Sequence, residues 1–555
     1  MKDIPGKVQR GIEKVLTFIF GVQVLLLMAS VIRNLVASAS WQSYDPKQQA
    51  LAVCLLVPVL FVCARIILRE EKSGKGKKAR GQKALILAGA AFLILLQVIM
   101  LVTLASETGW DSGALVNAAL GTEPERSDLY LSRYPNNLLL VFFYKGIFRL
   151  FHITGGREAF LAAAAPNLLF IDAAAVLLYM AVKKLWDPGR ARLACGIFLL
   201  LLGLSPWIAI PYSDLPSMFL VSLSFYGFVT YRQKEKRSLG EGILYTACQV
   251  LIAAVGYAIK PTVLILYVAF VIWRILPEDG KQNEADFAKK SEEKTHERDQ
   301  KEVGEKHEEN RGRIRHGLLL ACFGGLLLLL LSFGWKSAVA KQNTFHIDES
   351  RRYTLTHYLM LSVNDNMGVY SMEDEEISDS AAGVKERQAL NLQVAGERLA
   401  KKGFFGYLKQ QWNRFCQIHS EGNFCFTGEG GINFMNFDLS KYSRIRRYFY
   451  LTGDRYTIYK HLMQGIWFFV LASICLLLPA FFTGRKKGPE LQGKEQDGYS
   501  FCMLPILGII LFNLLFESRS RYLMTYLPFY CMAAAAGLQR CRMRMASGRG
   551  QSIEE

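Results

Sequence analysis

Long apolar runs punctuate this chain and set its class. Residues 15–35, 84–104 and 318–331 are apolar almost throughout. A bilayer-crossing helix needs roughly 20 such residues, and inside hydrocarbon only helices or closed barrels satisfy the backbone. The runs lack the alternation of barrel strands, so the pattern predicts an all-α polytopic membrane protein. Spans are expected near 12–37, 50–68, 84–106, 158–182, 193–210, 214–231, 242–258, 261–276, 317–335, 460–483, 499–516 and 522–538, about twelve helices at the usual span length.

Segment 138–152 breaks the pattern. It is too short to cross and carries Lys145 and Arg149 among apolar residues, which predicts an amphipathic helix lying on the outer surface. Charge placement supports this. With 138–152 on the surface, one side of the membrane collects Lys2, Lys7 and Arg10, the basic loop 72–83, Lys183, Lys184, Arg190, Arg192, Arg232, Lys234, the 485–487 loop, and Arg540, Arg542, Arg544 and Arg549. Lys and Arg concentrate in cytoplasmic loops, so a multi-pass plasma-membrane protein with both termini cytoplasmic is expected. If 138–152 crossed, every later loop would invert. The net charge of +18 then reflects topology and contact with anionic membrane lipid. No nucleic-acid-binding motif accompanies it, and no nucleic acid partner is expected.

The chain divides into an N-terminal membrane hairpin with a basic loop (1–83), a membrane module (84–276) whose first external loop is 107–157, a charged cytoplasmic linker (277–316), a span (317–335), an external domain (336–457), C-terminal membrane helices (458–540) and a cytoplasmic tail (541–555). The linker is rich in Lys, Glu and His and reads as disordered or loosely helical. The external domain reads as small and mostly helical. Lys7, Arg10 and Lys14 ahead of an apolar run imitate a signal peptide, but the run is too long and Arg33 interrupts its end, so an uncleaved first span is expected. Most of the 11 cysteines lie in apolar runs and behave there as small hydrophobes. Cys416 and Cys425 share one external loop, and their pairing stays open.

Four polar features fall at the outer face. Asp111 lies in the acidic first external loop. Tyr212-Ser213-Asp214 forms an outer turn among Pro206, Pro211 and Pro216. Lys260 precedes Pro261 in a tight turn, and Glu517, Arg519 and Arg521 lie between the last two spans. Charges at a membrane boundary are costly unless paired or used. Each has a plain alternative: Asp214 as a helix cap, Lys260 as a snorkelling side chain, Arg519 and Arg521 as lipid anchors. Together they suit displacement at a phosphate-activated carbon. A carboxylate deprotonates an acceptor hydroxyl, and fixed cations stabilise charge on a leaving phosphate. No Gly-rich phosphate loop, HExxH or GxSxG motif supports an NTPase, a zinc protease or a serine hydrolase.

In order, GWDSGALVNAA after a span, RYPNN before the amphipathic helix, IPYSDLP, GYAIKPT and ESRSRYLMTYLPF resemble the GT-C membrane glycosyltransferases, and in particular the bacterial proteins similar to protein O-mannosyltransferases and lipid A aminoarabinose transferases. The external stretches YLMLSVNDNMGVYSMEDEE and EGNFCFTGEG are similar to the external loop of Gram-positive members. The resemblance implies a GT-C-like fold and transfer of a hexosyl or pentosyl unit from a polyprenyl-phosphate-linked sugar to a hydroxyl of a glycan, lipid or protein of the cell envelope, with inversion at an Asp base. It carries the acidic catalytic roles to Asp111 and Asp214, and donor binding to Lys260, Arg519 and Arg521. Tyr212, Arg133, Tyr134 and Glu517 join them as candidate substrate-binding residues. Two spans precede the module, and Asp111 is followed by Ser-Gly rather than a second acid, so no paired-acid metal site is evident. No cofactor is called for, and metal dependence stays open. A transporter or flippase of a lipid-linked glycan is the alternative; it would want charged or broken helices near the midplane, where only Asp172 is found. A non-catalytic scaffold is the third class.

Overall fold

The three-dimensional structure is a computed structural model that describes residues 4–40, 44–69, 77–234, 238–275, 296–426, 442–482 and 493–551. Every regular element among them is a helix. Eight are long and apolar enough to cross a membrane: Gly11–Val36, Pro46–Leu68, Ala84–Leu104, Gly156–Leu185, Leu239–Ile259, Leu319–Lys341, Tyr456–Phe482 and Gly498–Leu515. The other four expected spans fall on shorter or more polar helices, Pro188–Phe198, Asp214–Arg232, Leu264–Ile275 and Leu527–Gln551. The span expected at 193–210 breaks early. Its helix loosens into a π turn at Leu199–Gly203, and Ser205 then starts the 3-10 turn Pro206–Ala209. Pro206 has no N–H for a helical bond and clashes with the preceding turn.

The linker and span expected at 277–316 and 317–335 also differ in outline. His296–Lys341 is one 46-residue helix, so the described end of the linker continues directly into the span. Residues 277–295 and the 485–487 loop lie outside the described residues. No disulfide joins Cys416 and Cys425 in the structure.

One large core, which includes Phe198, Trp207, Trp273, Trp467 and Tyr530, binds the long helices together. Their outward faces carry exposed Leu85, Leu87, Phe92, Leu244, Leu329 and Phe333, as lipid-facing surfaces require. Asp172 is paired: Gln97 Nε2 donates to its Oδ1 at 2.9 Å.

A second core lies at one end of the helices. Leu138–Leu150 buries Leu138, Val141, Tyr144 and Phe148 against Leu115 and Val116 of Trp110–Leu120 and against Phe345. The three-to-four-residue spacing puts these side chains on one helical face, while Phe143, Leu150 and Phe151 stay exposed. The segment after residue 341 lies across the first loop. The His346 N–H donates to Asp128 Oδ1 at 3.0 Å, that of Asp348 to the Ser132 hydroxyl at 2.9 Å, and that of Tyr353 to the Arg133 carbonyl at 3.2 Å. Helices Leu355–Ser362, Met372–Asp379 and the first part of Val384–Ile418 join this core in a layer beyond the ends of the long helices, the outer layer of the bundle.

Candidate active site

Asp111 stands in the first turn of Trp110–Leu120. Trp110 before it has a left-handed φ of 49°, a strained conformation for a bulky residue. Its ring stands edge-on to Tyr370 at 5.6 Å, which ties the turn to the outer layer. Gly113 fits because it has no side chain: a Cβ there would sit 2.1 Å from the Thr108 carbonyl oxygen. Thr108 donates to the Ser112 hydroxyl at 2.9 Å, and Ser112 donates to the Pro211 carbonyl at 3.2 Å. These bonds seat the Asp111 turn beside the Tyr212 loop.

Two phenols clamp the carboxylate. Tyr130 donates to Asp111 Oδ1 at 3.0 Å, and Tyr212 donates to Oδ2 at 2.6 Å. Asn137 of the RYPNN stretch donates to the Tyr130 oxygen at 2.8 Å and orients it. Burial pushes both phenols well above the ordinary range, and the Asp111 charge adds to the shift. Both therefore stay protonated donors at any physiological pH.

Tyr212 also faces the cations. The Arg521 guanidinium lies 4.7 Å from its ring centre, and Arg521 Nε is 3.7 Å from Asp214 Oδ2. Lys260 makes a close ion pair with the other oxygen of Asp214. The lysine ammonium sits 4.6 Å from the centre of the Tyr522 ring, and Arg521 lies 5.4 Å from the same ring. The Tyr522 hydroxyl donates to Glu517, whose other oxygen lies 3.5 Å from Arg519 Nε. Asp214 is 1% exposed, and Lys260 and Arg521 are buried with it. Burial pulls the Lys260 ammonium below its usual range, and Asp214 opposes the shift. The outer layer and the end of Gly493–Leu515 together fix this corner. Ser518 N–H donates to the Gly368 carbonyl at 2.8 Å, and Arg519 N–H donates to Asn513 Oδ1 at 3.0 Å. Among the described residues no group of three His, Cys, Asp or Glu side chains is placed to hold a metal.

The cluster sits where long helices end: Lys260 follows Leu239–Ile259, Glu517 follows Gly493–Leu515, and Asp111 lies just past Lys77–Leu104. Such placement is what an integral membrane protein with a boundary site would show. The profile of the family described as "conserved hypothetical integral membrane protein" matches residues 6–542. The chain belongs to this family. No curated protein matches it. Two crystal structures of ArnT from Cupriavidus metallidurans are similar to it, one in the apo state and one bound to undecaprenyl phosphate. They are 12% and 13% identical, each with a TM-score of 0.32, and the alignments cover 84% of this chain and 76% and 79% of theirs.

Within this family member the structure brings Asp111, Tyr212, Asp214, Lys260, Glu517, Arg519 and Arg521 into one connected network. The plain alternatives do not describe them. Ser213, not Asp214, stands at the N-cap position, and Asp214 in the first turn meets two cations, while Lys260 is buried rather than reaching for headgroups. Arg133 is not part of the network: it pairs closely with Glu375 and Asp379 of the outer layer. Tyr134 stands one ring away, 5.2 Å from Tyr130 and 5.4 Å from Tyr353. Glu107 is exposed, and Asp128 is occupied by the His346 amide. Sequence reasoning missed Tyr130, Asn137 and Tyr522. Asn137 and Tyr522 do lie inside quoted motifs, but nothing in their spacing shows which acid they serve.

Proposed function

We propose that this protein is a GT-C-type membrane glycosyltransferase that moves a sugar from a polyprenyl-phosphate donor to an acceptor hydroxyl on the outer face of the plasma membrane, with both termini cytoplasmic. One observation carries the reading. A carboxylate clamped by two phenols stands one ring away from a buried cation cluster, and both sit at the level where the long helices end. A lipid phosphate lies at that level, and its sugar projects beyond it.

Asp111 is the base. Each carboxylate oxygen has two lone-pair sites, so the tyrosine bonds leave room for an acceptor proton. The acceptor oxygen bonds to the anomeric carbon, with inversion, as the bond from that carbon to the phosphate oxygen breaks. The departing polyprenyl phosphate keeps the electron pair, and the proton goes to Asp111. Arg521, Lys260 and Arg519 face the developing phosphate charge, the kind of preorganised stabilisation that lowers such barriers most. Asp214 acts as a positioning residue that holds Lys260 and Arg521 in place. The acceptor is a glycan, a lipid or a protein of the cell envelope.

The test is turnover by the purified protein with polyprenyl-phosphate hexose and pentose donors, read as release of polyprenyl phosphate. Mass spectrometry of envelope glycans from a deletion strain accompanies it. Donor consumption and a missing sugar in the strain are expected. An unchanged glycan profile with no donor consumption by the purified protein overturns the reading.

A further inference from the structure

The helix Val384–Ile418 is two arms joined at a corner. Gly403 has φ 63° and ψ 176°, a left-handed conformation that glycine adopts at no steric cost. The first arm belongs to the outer layer: Arg398 pairs with buried Asp374 at 2.6 Å, and Arg387 Nε donates to the Ser378 carbonyl at 2.7 Å. The second arm is tied to the ends of long helices. Arg33 donates to Asn413 at 3.0 Å, and Asn34 donates to the Cys416 carbonyl at 2.9 Å, both from the last turn of Ile4–Val36. Arg414 donates to the carbonyls of Asn513 and Phe516, at the end of Gly493–Leu515. Farther along, His419 meets Tyr530, and Trp467 donates to the His419 carbonyl at 3.0 Å. Those two aromatic residues belong to the buried core of the helical bundle.

The corner carries two bare aromatic rings. Phe404 is 70% exposed and Phe405 82%. Leu408, one turn on, is exposed as well, while Gln410, Arg414, Phe415 and Ile418 form the buried side of the arm. The helix that Arg414 caps likewise turns Leu511 and Leu515 outward. Lys401 and Lys409 flank the rings and are exposed, while Lys402 is held by Asp365. Phe405 precedes Asn413 by two turns, roughly 12 Å along the helix axis. Adjacent, largely exposed phenylalanines bracketed by lysines, on a helix anchored at the ends of spans, have the make-up of an interfacial membrane element.

We propose that the corner 401–409 inserts into the bilayer leaflet at which Ile4–Val36 and Gly493–Leu515 end, with Phe404, Phe405 and Leu408 among the upper acyl carbons and Lys401 and Lys409 at the anionic headgroups. The inserted arm also carries Gln410 and Arg414. Gln410 holds the Asn364 carbonyl and Arg414 holds that of Ser362, and the loop after them supports Ser518 through Gly368. Seating the corner in lipid thus fixes the height of the outer layer over the Glu517–Arg521 corner. This proposal does not depend on the reaction assigned to the site.

The test places an azide-bearing amino acid at position 405, couples it to an environment-sensitive dye, and reconstitutes the full chain in phosphatidylcholine nanodiscs containing some phosphatidylglycerol. An identical label at exposed Lys385 is the control. Lipids brominated near the top of the acyl chain are expected to quench the 405 dye several-fold more than the 385 dye, with blue-shifted emission at 405 only. Equal quenching, or water-like emission at 405, overturns the insertion. The label replaces a side chain outside the core, so folding is not at risk. Native mass spectrometry of Lys401→Gln/Lys409→Gln reads the headgroup contact. Reduced retention of phosphatidylglycerol is expected, and retention equal to that of the parent chain overturns that part.

Discussion

Asp111 has a phenol on each oxygen, and that arrangement decides how it can be tested. Asp111→Asn keeps the size of the side chain and one acceptor oxygen, so the turn at Gly109–Ser112 should persist. Removing a general base costs roughly 100-fold or more in turnover. We expect that loss with lipid-phosphate donor affinity little changed, measured as initial rates and as binding of undecaprenyl phosphate. Normal turnover by the variant would move the base elsewhere. Lys260 calls for a different design. It faces Asp214 in a buried ion pair, and deleting one partner of such a pair costs on the order of 3–5 kcal/mol. Lys260→Met alone should therefore lower the unfolding temperature in detergent, and Asp214→Asn/Lys260→Met should recover most of it while leaving donor binding weak. If the double variant unfolds as early as the single one, the pair is not what holds this corner. The charged members of the site were legible in the sequence because a charge at a span end is expensive and stands out. Tyr130 was not legible: it lies 19 positions from Asp111 in a polar stretch, and aromatic residues there carry no sign of what they touch. Arg133 was legible as a charge but not as a structural one, because its acidic partners lie 242 and 246 positions away.

At the scale of elements, the Asp111 turn and the outer helices make separable predictions. Gly113→Ala puts a methyl group against the Thr108 carbonyl. Overpacking of this kind costs about 1–3 kcal/mol, and a displacement of about 1 Å of a reacting group can cost roughly 100-fold in rate. Turnover should fall much further than stability, whereas Gly146→Ala, where a Cβ meets nothing within 4 Å, should be silent in both. His357 reports on the outer layer. Its ring stacks on Tyr353 at 4.2 Å, and Nδ1 lies 2.7 Å from the Ser378 hydroxyl. Asp374, Asp379, Arg387 and Arg133 surround it, and burial lowers its pKa from 6.5 to about 4. Between those two values the unfolded chain binds a proton that the folded chain refuses. Folding stability should therefore decline as pH falls through that window. Thermal unfolding in detergent between the two values should show the decline, and His357→Gln should flatten it. An unchanged slope would assign the acid sensitivity to other groups. Helix existence was legible from apolar length alone; helix ends were less so. The 193–210 span loosens from Leu199 and stops at Ser205-Pro206, a break that a hydropathy window averages away. The 317–335 span runs back to His296 because a charged helix can continue an apolar one without any change in backbone geometry.

At the scale of the whole molecule, the proposed reaction depends on which faces share a side. The first loop, the Tyr212 turn, Lys260, the outer layer and Glu517–Arg521 are physically joined, so they must lie on one side of any membrane the long helices cross. That joining was only partly legible. Charge asymmetry assigns loops to sides, but it says nothing about Tyr353 pairing with Arg133 or Ser518 with Gly368. The basic loops supply the direction, and they favour this joined face outside. The prediction is specific. In intact cells, and in a background without accessible native thiols, a cysteine at Lys385 should react with a membrane-impermeant maleimide. One at Gln300, on the charged helix that enters Leu319–Lys341 from the other end, should react only after the cells are opened. Ala substitutions of Lys183 and Lys184, at the last turn of Pro166–Leu185, should weaken this orientation rather than reverse it, because the basic loop 72–83 and the basic tail press the same way. Reverse labelling, with 300 reactive and 385 protected, would put Asp111 on the cytoplasmic side. A donor presented at the outer surface could not then reach it, and the proposed transfer would have to be given up along with the topology.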